Sequence, residues 1–248
     1  MPPRSLRPVG VALVDKPAGP SSFAIVAALR RRTRARTGHA GTLDPFATGL
    51  LILLSGAATR LAPCFVGLDK RYVTDVDLTS TTSTGDPEGD QLGRHAAPAQ
   101  AALEAALERL RGEIELPIPA ASAVKIDGER AYKLARRGVV VEMPVRRSLV
   151  HSLEVITYTG ETVRLSLHVS SGTYVRSIAR ALDGHCTTLR RTAVGPFDVE
   201  ESYAVDGAEL LPAGEALGRL PADALERVTE TVRAGVLALD APHGGAAA

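Results

Sequence analysis

The sequence predicts an α+β protein, and three observations carry that class. Helical and strand patterns follow one another without the regular strand–helix alternation of a doubly wound sheet. Residues 70–79 and 162–169 alternate apolar and polar side chains, as half-buried strands do. Residues 99–110 instead repeat leucine at helical spacing, Leu103, Leu107 and Leu110, with Gly112 just beyond as a stop signal.

Taken in order, residues 9–14 read as a buried strand ended by Pro17, Gly19 and Pro20. Ser21 or Ser22 then caps a helix over 23–32 that carries Ile25, Val26 and Leu29 on one face. The Gly-, Asp- and Pro-bearing stretch 37–45 reads as a loop, 50–54 as a strand and 57–65 as a short helix. In 70–79, Tyr72, Thr74, Val76 and Leu78 oppose Val73, Asp75 and Asp77. Residues 81–93 read as a Gly/Asp/Thr loop. The Asp127–Gly128 pair after Val124–Ile126 reads as a hairpin corner. A helix is expected over 132–137, strands over 139–158 and 162–169, a helix over 173–182, and a strand over 190–199 interrupted at Gly195–Pro196. One helix is expected over 222–234, and disorder in the closing APHGGAAA.

The 248 residues are 45% hydrophobic and 23% charged, ordinary for a soluble globular chain, while 4% aromatic leaves the core to Leu, Val, Ile and Ala. The two cysteines, Cys64 and Cys186, form no Cys-x-x-Cys and accompany no histidine cluster, which argues against a zinc site and for a reduced, cytoplasmic protein. The opening residues are too poor in apolar side chains for a signal peptide, and the 50–54 run is far below membrane-spanning length. The net charge of +1 hides clumped arginines: Arg30, Arg31, Arg32, Arg34 and Arg36, then pairs at 136–137, 146–147 and 190–191. Such runs commonly solvate a surface. Cations at the end of the 23–32 helix also suit its dipole, and an RNA phosphate footprint is the functional alternative.

Three local patterns invite chemistry. In GHAGTLDPFATGLL (38–51), Asp44 precedes Pro45 and is therefore pushed out of the helical region, in a glycine-bounded loop before a buried strand. An isolated Asp-Pro is most often a simple turn. In GTYVR (172–176), Arg176 falls in the first turn of a helix, an electrostatically poor place for a cation that calls for an anionic partner. Backbone N–H groups at that start could meet a phosphate. In DKRYV (69–73), Tyr72 on a half-buried strand reads as core or as a stacking platform for a base.

Together these patterns resemble the TruB family of bacterial tRNA pseudouridine-55 synthases. The blocks keep their order over residues 9–198: VDKPAGPSS, GHAGTLDPFATGLL, KRY, TSTGDPEGD, SAVKIDGERAYKLARRG, SSGTYVRSIARAL and LRRTAVGPF. The resemblance implies a pseudouridine synthase fold, with a large, mainly antiparallel mixed sheet flanked by helices and a central cleft. It implies a catalytic domain over 1–202 and a short, reduced segment over 203–248 similar to a remnant RNA-binding PUA domain. It implies that Asp44 is the nucleophile, that Tyr72 stacks on the target base and helps remove the C5 proton, and that Arg176 pairs with the catalytic carboxylate. His39 would contact the flipped nucleotide, Lys16 would support the site, and Tyr174 would join the substrate contacts. The resemblance further implies an isomerisation at uridine-55 of the tRNA T arm by a monomer, with no cofactor and no metal.

The chain departs from the family at Ser83, at IPAA before Ser122, in a short DGHCTT after Leu182, and in the brief C-terminal part. Two alternatives follow: a non-catalytic RNA-binding or tRNA-folding module, and an active synthase with a shifted RNA target.

Overall fold

The computed structural model describes residues 8–122, 124–126, 128–131, 134, 137, 139 and 142–240, and these divide into two compact units: 1–68 with 191–248, and 69–190. The expected helix over 132–137 falls largely, and the C-terminal tail wholly, outside the described residues.

In the first unit the opening apolar run forms β1 (Gly10–Lys16). Then come α1 (Ser22–Thr33), β2 (Thr37–His39) and β3 (Thr48–Ser55). Ser21 is the cap of α1, its Oγ accepting from the Ala24 N–H at 3.2 Å. Arg34 ends the helix in the left-handed region, at φ 53°. β1 and β3 pair antiparallel from Gly10 opposite Ser55 to Lys16 opposite Gly49. Part of the expected 37–45 loop is strand, because β2 pairs with β3 and His39 lies opposite Leu53. A 3-10 turn (Gly56–Leu61) then leads into α2 (Ala62–Val66).

The second unit begins with β4 (Lys70–Asp77), which buries Tyr72, Thr74 and Val76 as the alternation predicts. The expected 81–93 loop is a hairpin, β5 (Ser80–Thr82) with β6 (Gln91–Arg94), whose tip carries the loop residues. Helix α3 (Gln100–Arg109) buries Leu103 and Leu107. The sequence reading has no strand after it, yet Gly112–Pro117 forms β7, with one buried apolar residue, Ile114. So short a segment between exposed glutamates gains strand character only from its partner. The hairpin corner near Gly128 is present as β8 (Lys125–Ile126) and β9 (Glu129–Arg130).

The long strand expected over 139–158 begins only at Val145, after Pro144, whose ring offers no N–H for a ladder. This strand, β10 (Val145–Tyr158), pairs with β7 through its first part and with β11 (Thr162–Val169) through its second. β11 also pairs with β4, and all three ladders are antiparallel. Helix α4 (Val175–Ala181) is shorter than expected. The strand expected over 190–199 starts earlier, because within DGHCTT His185 already opens β12 (His185–Val194). The first half of β12 belongs to this unit, where the Thr188 carbonyl accepts from Thr74 Oγ1 at 2.6 Å.

The second half of β12 returns the chain to the first unit and turns at Gly195–Pro196 into β13 (Phe197–Asp198). Among the described residues the C-terminal stretch holds three helices rather than one: α5 (Ala213–Gly218), α6 (Ala222–Glu226) and α7 (Glu230–Asp240). The break falls where the Arg233 guanidinium bonds the Leu225 and Val228 carbonyls and the Thr229 carbonyl starts a new helix. These helices share the unit's core. Ala213, Leu217, Ala224 and Val236 pack with Leu54, Leu61, Phe65 and Phe197. No helix among the described residues is long and apolar enough to cross a membrane.

Candidate active site

The loop carrying Asp44 is fixed from three sides within the first unit. Lys16, fully buried at the end of β1, donates from Nζ to the carbonyls of Pro17 at 2.8 Å, Pro45 at 3.0 Å and Ala47 at 2.7 Å. Ser22, on the first turn of α1, bonds Leu43 twice: Oγ donates to its carbonyl at 2.7 Å and accepts from its N–H at 2.8 Å. Ser22 thus serves the loop rather than the cap.

The third side is Arg191. Its side chain is only 1% exposed. Nε donates to the Leu50 carbonyl at 2.7 Å, Nη2 to Gly41 at 3.1 Å and Nη1 to Thr42 at 3.4 Å. Gly49 makes this approach possible. Its φ is +101°, and a Cβ there would lie 2.2 Å from the Arg191 carbonyl oxygen.

Asp44 itself is half-buried, and its carbonyl accepts from the Ala47 N–H at 3.2 Å to close a turn. Bonds from a charged donor contribute about 1.5–3 kcal/mol each, so the backbone on both sides of Asp44 is held far more firmly than an ordinary surface loop. Five residues earlier, at the end of β2, His39 is also half-buried, and Nδ1 is buried with no hydrogen-bond partner among the described residues. Burial, and then the nearby Arg191 charge, push its pKa below the usual histidine value. Neutral imidazole is therefore the form present at pH 7.

In the second unit, Arg176 stands in the first turn of α4 with its side chain 3% exposed. The anionic partner that its position called for is supplied by Asp86, whose Oδ2 lies 3.1 Å from Nη1. Arg176 also donates to the Thr84 carbonyl at 2.8 Å and the Ala121 carbonyl at 2.9 Å. Asp86 in turn accepts through Oδ1 from Thr84 Oγ1 and the Glu88 N–H, which orders the hairpin tip around the guanidinium. Tyr72 is 8% exposed on β4, opposite Leu167 of β11. Tyr174 precedes α4 and lines a small crevice with Arg146, Ser148 and Ser177. The guanidinium of Arg146 lies over Gly172, where a Cβ would come within 2.7 Å of it.

Lys16, His39 and Asp44 therefore belong to one unit, and Tyr72, Tyr174 and Arg176 to the other. The reading from sequence missed Ser22 as a loop anchor, and missed Asp86 and Arg191. The last two lie in blocks it quoted, but nothing in a linear sequence marks an arginine among several as the one whose fork meets three carbonyls.

A half-buried carboxylate on a clamped loop is a group fit for nucleophilic or acid–base chemistry. The family comparisons place the chain among the pseudouridine synthases. The family model for TruB family pseudouridylate synthase (N terminal domain) matches residues 30–175. The tRNA pseudouridine synthase B of Azoarcus sp. (strain BH72) is 40% identical over 225 residues, covering 87% of this chain and 75% of that one. Its counterpart in Mycobacterium leprae (strain TN) is 41% identical, covering 82% and 69%. Among solved structures, a chain from a Cbf5-Nop10-Gar1 complex superposes with TM-score 0.60 at 30% identity, over 79% of this chain. Another, from an H/ACA RNP bound to a substrate RNA containing 2'-deoxyuridine, gives 0.57 at 26% identity. This chain spans about half the length of either solved chain. The protein belongs to the TruB family of pseudouridylate synthases.

Proposed function

We propose that the protein is a tRNA pseudouridine synthase that isomerises uridine-55 in the T loop. The observation that carries this is the clamped Asp44 loop, in a chain 40–43% identical to proteins named tRNA pseudouridine synthase B. Asp44 acts as the nucleophile. The uracil detaches from C1′, rotates and rejoins through C5, so the atoms of the substrate are conserved and no redox step intervenes. Arg176 supplies positive charge that favours the ionised carboxylate. Taking the uridine out of its stack costs roughly a few kcal/mol. Stacking on Tyr72 offsets about 1–3 kcal/mol of that. The unpartnered Nδ1 of His39 supports a role in hydrogen-bonding the flipped nucleotide, Tyr174 contributes to substrate binding, and Lys16 supports the loop.

The exposed arginines at and after the end of α1 (Arg30, Arg31, Arg34 and Arg36) suit contact with the tRNA backbone. Arg32 in the same run is instead committed to the Val205 and Asp206 carbonyls, at 2.7 Å and 2.6 Å. The enzyme works as a monomer in the cytoplasm, and its two cysteines, buried and outside any disulfide, support the reducing compartment.

The test is incubation of the purified protein with an unmodified tRNA transcript and mapping of pseudouridine by nucleotide. Modification at position 55 that disappears in Asp44→Ala is the expected result. Binding without modification by the unaltered protein would overturn the reading.

A further inference from the structure

On the second unit, outside the residues assigned to the candidate active site, three side chains converge on one point, two from strands and one from the residue just before a third. Asp69 directly precedes β4, His151 lies on β10 and His168 on β11. Oδ2 of Asp69 is 3.0 Å from Nε2 of His151 and 3.8 Å from Nε2 of His168. The two imidazole rings lie beside each other, with centroids 4.5 Å apart and planes tilted by 35°. One potential donor atom from each residue falls within 4.8 Å of the others.

The backbone is shaped to bring this about. Val150 of β10 pairs with Val169 and Ser152 pairs with His168, so His151 is an extra residue in a β-bulge. A bulge re-aims the side chain it carries and recurs beside functional sites. Here it sets His151 against His168, which lies on the face of β11 away from the buried Leu165 and Leu167.

We propose that Asp69, His151 and His168 form a binding site for a single zinc-type divalent ion. The donor set selects the ion. Two imidazoles and one carboxylate suit borderline transition metals, whereas Mg²⁺ and Ca²⁺ prefer oxygen donors. Metal–nitrogen and metal–oxygen lengths near 2.0–2.2 Å put tetrahedral donors roughly 3.3–3.5 Å apart. The two distances from Asp69 bracket that value, so small rotamer shifts close the site. The two histidine side chains are 32% exposed and that of Asp69 41%, leaving the remaining coordination positions to water. Arg71, opposite His168 in the β4–β11 ladder, opposes a cation and holds the affinity below that of a closed structural zinc site. A bound ion would join the start of β4, the strand carrying Tyr72, to β10 and β11. The site does not depend on the proposed reaction.

The test uses the full-length protein freed of any histidine tag, dialysed against Zn²⁺ or Mg²⁺, with bound metal measured and thermal unfolding followed. One equivalent of Zn²⁺ and a rise in unfolding temperature are expected, because an ion that binds the native state stabilises it. Both should be lost in His151→Ala/His168→Ala and in Asp69→Asn, a near-isosteric change that protects the result if the double variant folds poorly. His95→Ala, at an exposed histidine outside the cluster, should behave as the unaltered protein. Zinc uptake equal in the unaltered protein and the Asp69→Asn variant would overturn the site, and so would equal stabilisation by Mg²⁺.

Discussion

The two units immobilise their key side chains with the same tool, a buried cation, but in different ways. In the first unit, Lys16 and Arg191 reach backbone carbonyls on either side of Asp44: Pro17, Pro45 and Ala47 for the lysine, Gly41, Thr42 and Leu50 for the arginine. In the second, Arg176 is itself the group to be positioned, and Asp86 meets it charge to charge, with the Thr84 and Ala121 carbonyls also accepting from its guanidinium. A cation on carbonyls fixes a backbone, and with it the position of the carboxylate that the backbone carries. A cation on a carboxylate fixes a side chain. Which part must be held, chain or side chain, decides which partner is used.

The sharpest break of this comparison is Asp44→Ala. It should lower pseudouridine formation on tRNA by about 10⁴-fold or more, as loss of a nucleophile does, while urea unfolding stays near that of the unaltered protein. A large stability loss instead would mean that Asp44 helps to hold its own loop.

Asp86→Asn comes next. It leaves the Arg176 charge buried beside a neutral amide, at a cost of about 3–5 kcal/mol, the range for breaking a buried pair. Amide exchange should quicken over 82–90 and α4 and not over 40–52. Exchange rising equally in both stretches would erase the distinction between the two frames.

Arg191→Met should cost about 2–4 kcal/mol by stranding buried carbonyls, with the opposite exchange pattern and a large loss of activity. Arg191→Lys should rescue little, since one ammonium cannot reproduce a fork aimed at three oxygens. A smaller effect, about 1–2 kcal/mol in urea titrations, is expected for Ser22→Ala, which loses both bonds to Leu43.

The smallest effect is the pH response of His39. Its folded-state pKa is depressed, so the unfolded chain binds the proton more readily. The associated stability is present above the unfolded value near 6.5 and is lost as pH falls through the lower folded value. An NMR titration of the imidazole should give a midpoint below 6.5, and His39→Gln should flatten the stability profile on the acid side. A midpoint at or above 6.5 would remove the influence of burial and Arg191 from this account.

Where side-chain period and turn chemistry act locally, the sequence was enough. The alternation in 162–169 matches β11 at both ends, and the leucines of 99–110 place α3 within a residue at each end. The ordered blocks around Asp44 and Arg176 identified the family. The sequence could not reveal β7, whose strand character comes from pairing with β10, or the hairpin that closes 81–93. It could not separate Ser21 from Ser22, adjacent serines that cap a helix and anchor a loop 21 residues away.

By itself, then, the sequence determined the fold class, the family and the candidate reactive residues, because period, turn residues and motif spacing are properties of neighbours along a chain. Only the tertiary structure decided that Arg191 clamps the Asp44 loop across about 150 residues, that Asp86 answers Arg176, and that Asp69, His151 and His168 meet. Those contacts depend on strand pairing, a bulge and a buried guanidinium fork, and sequence separation carries no information about any of them.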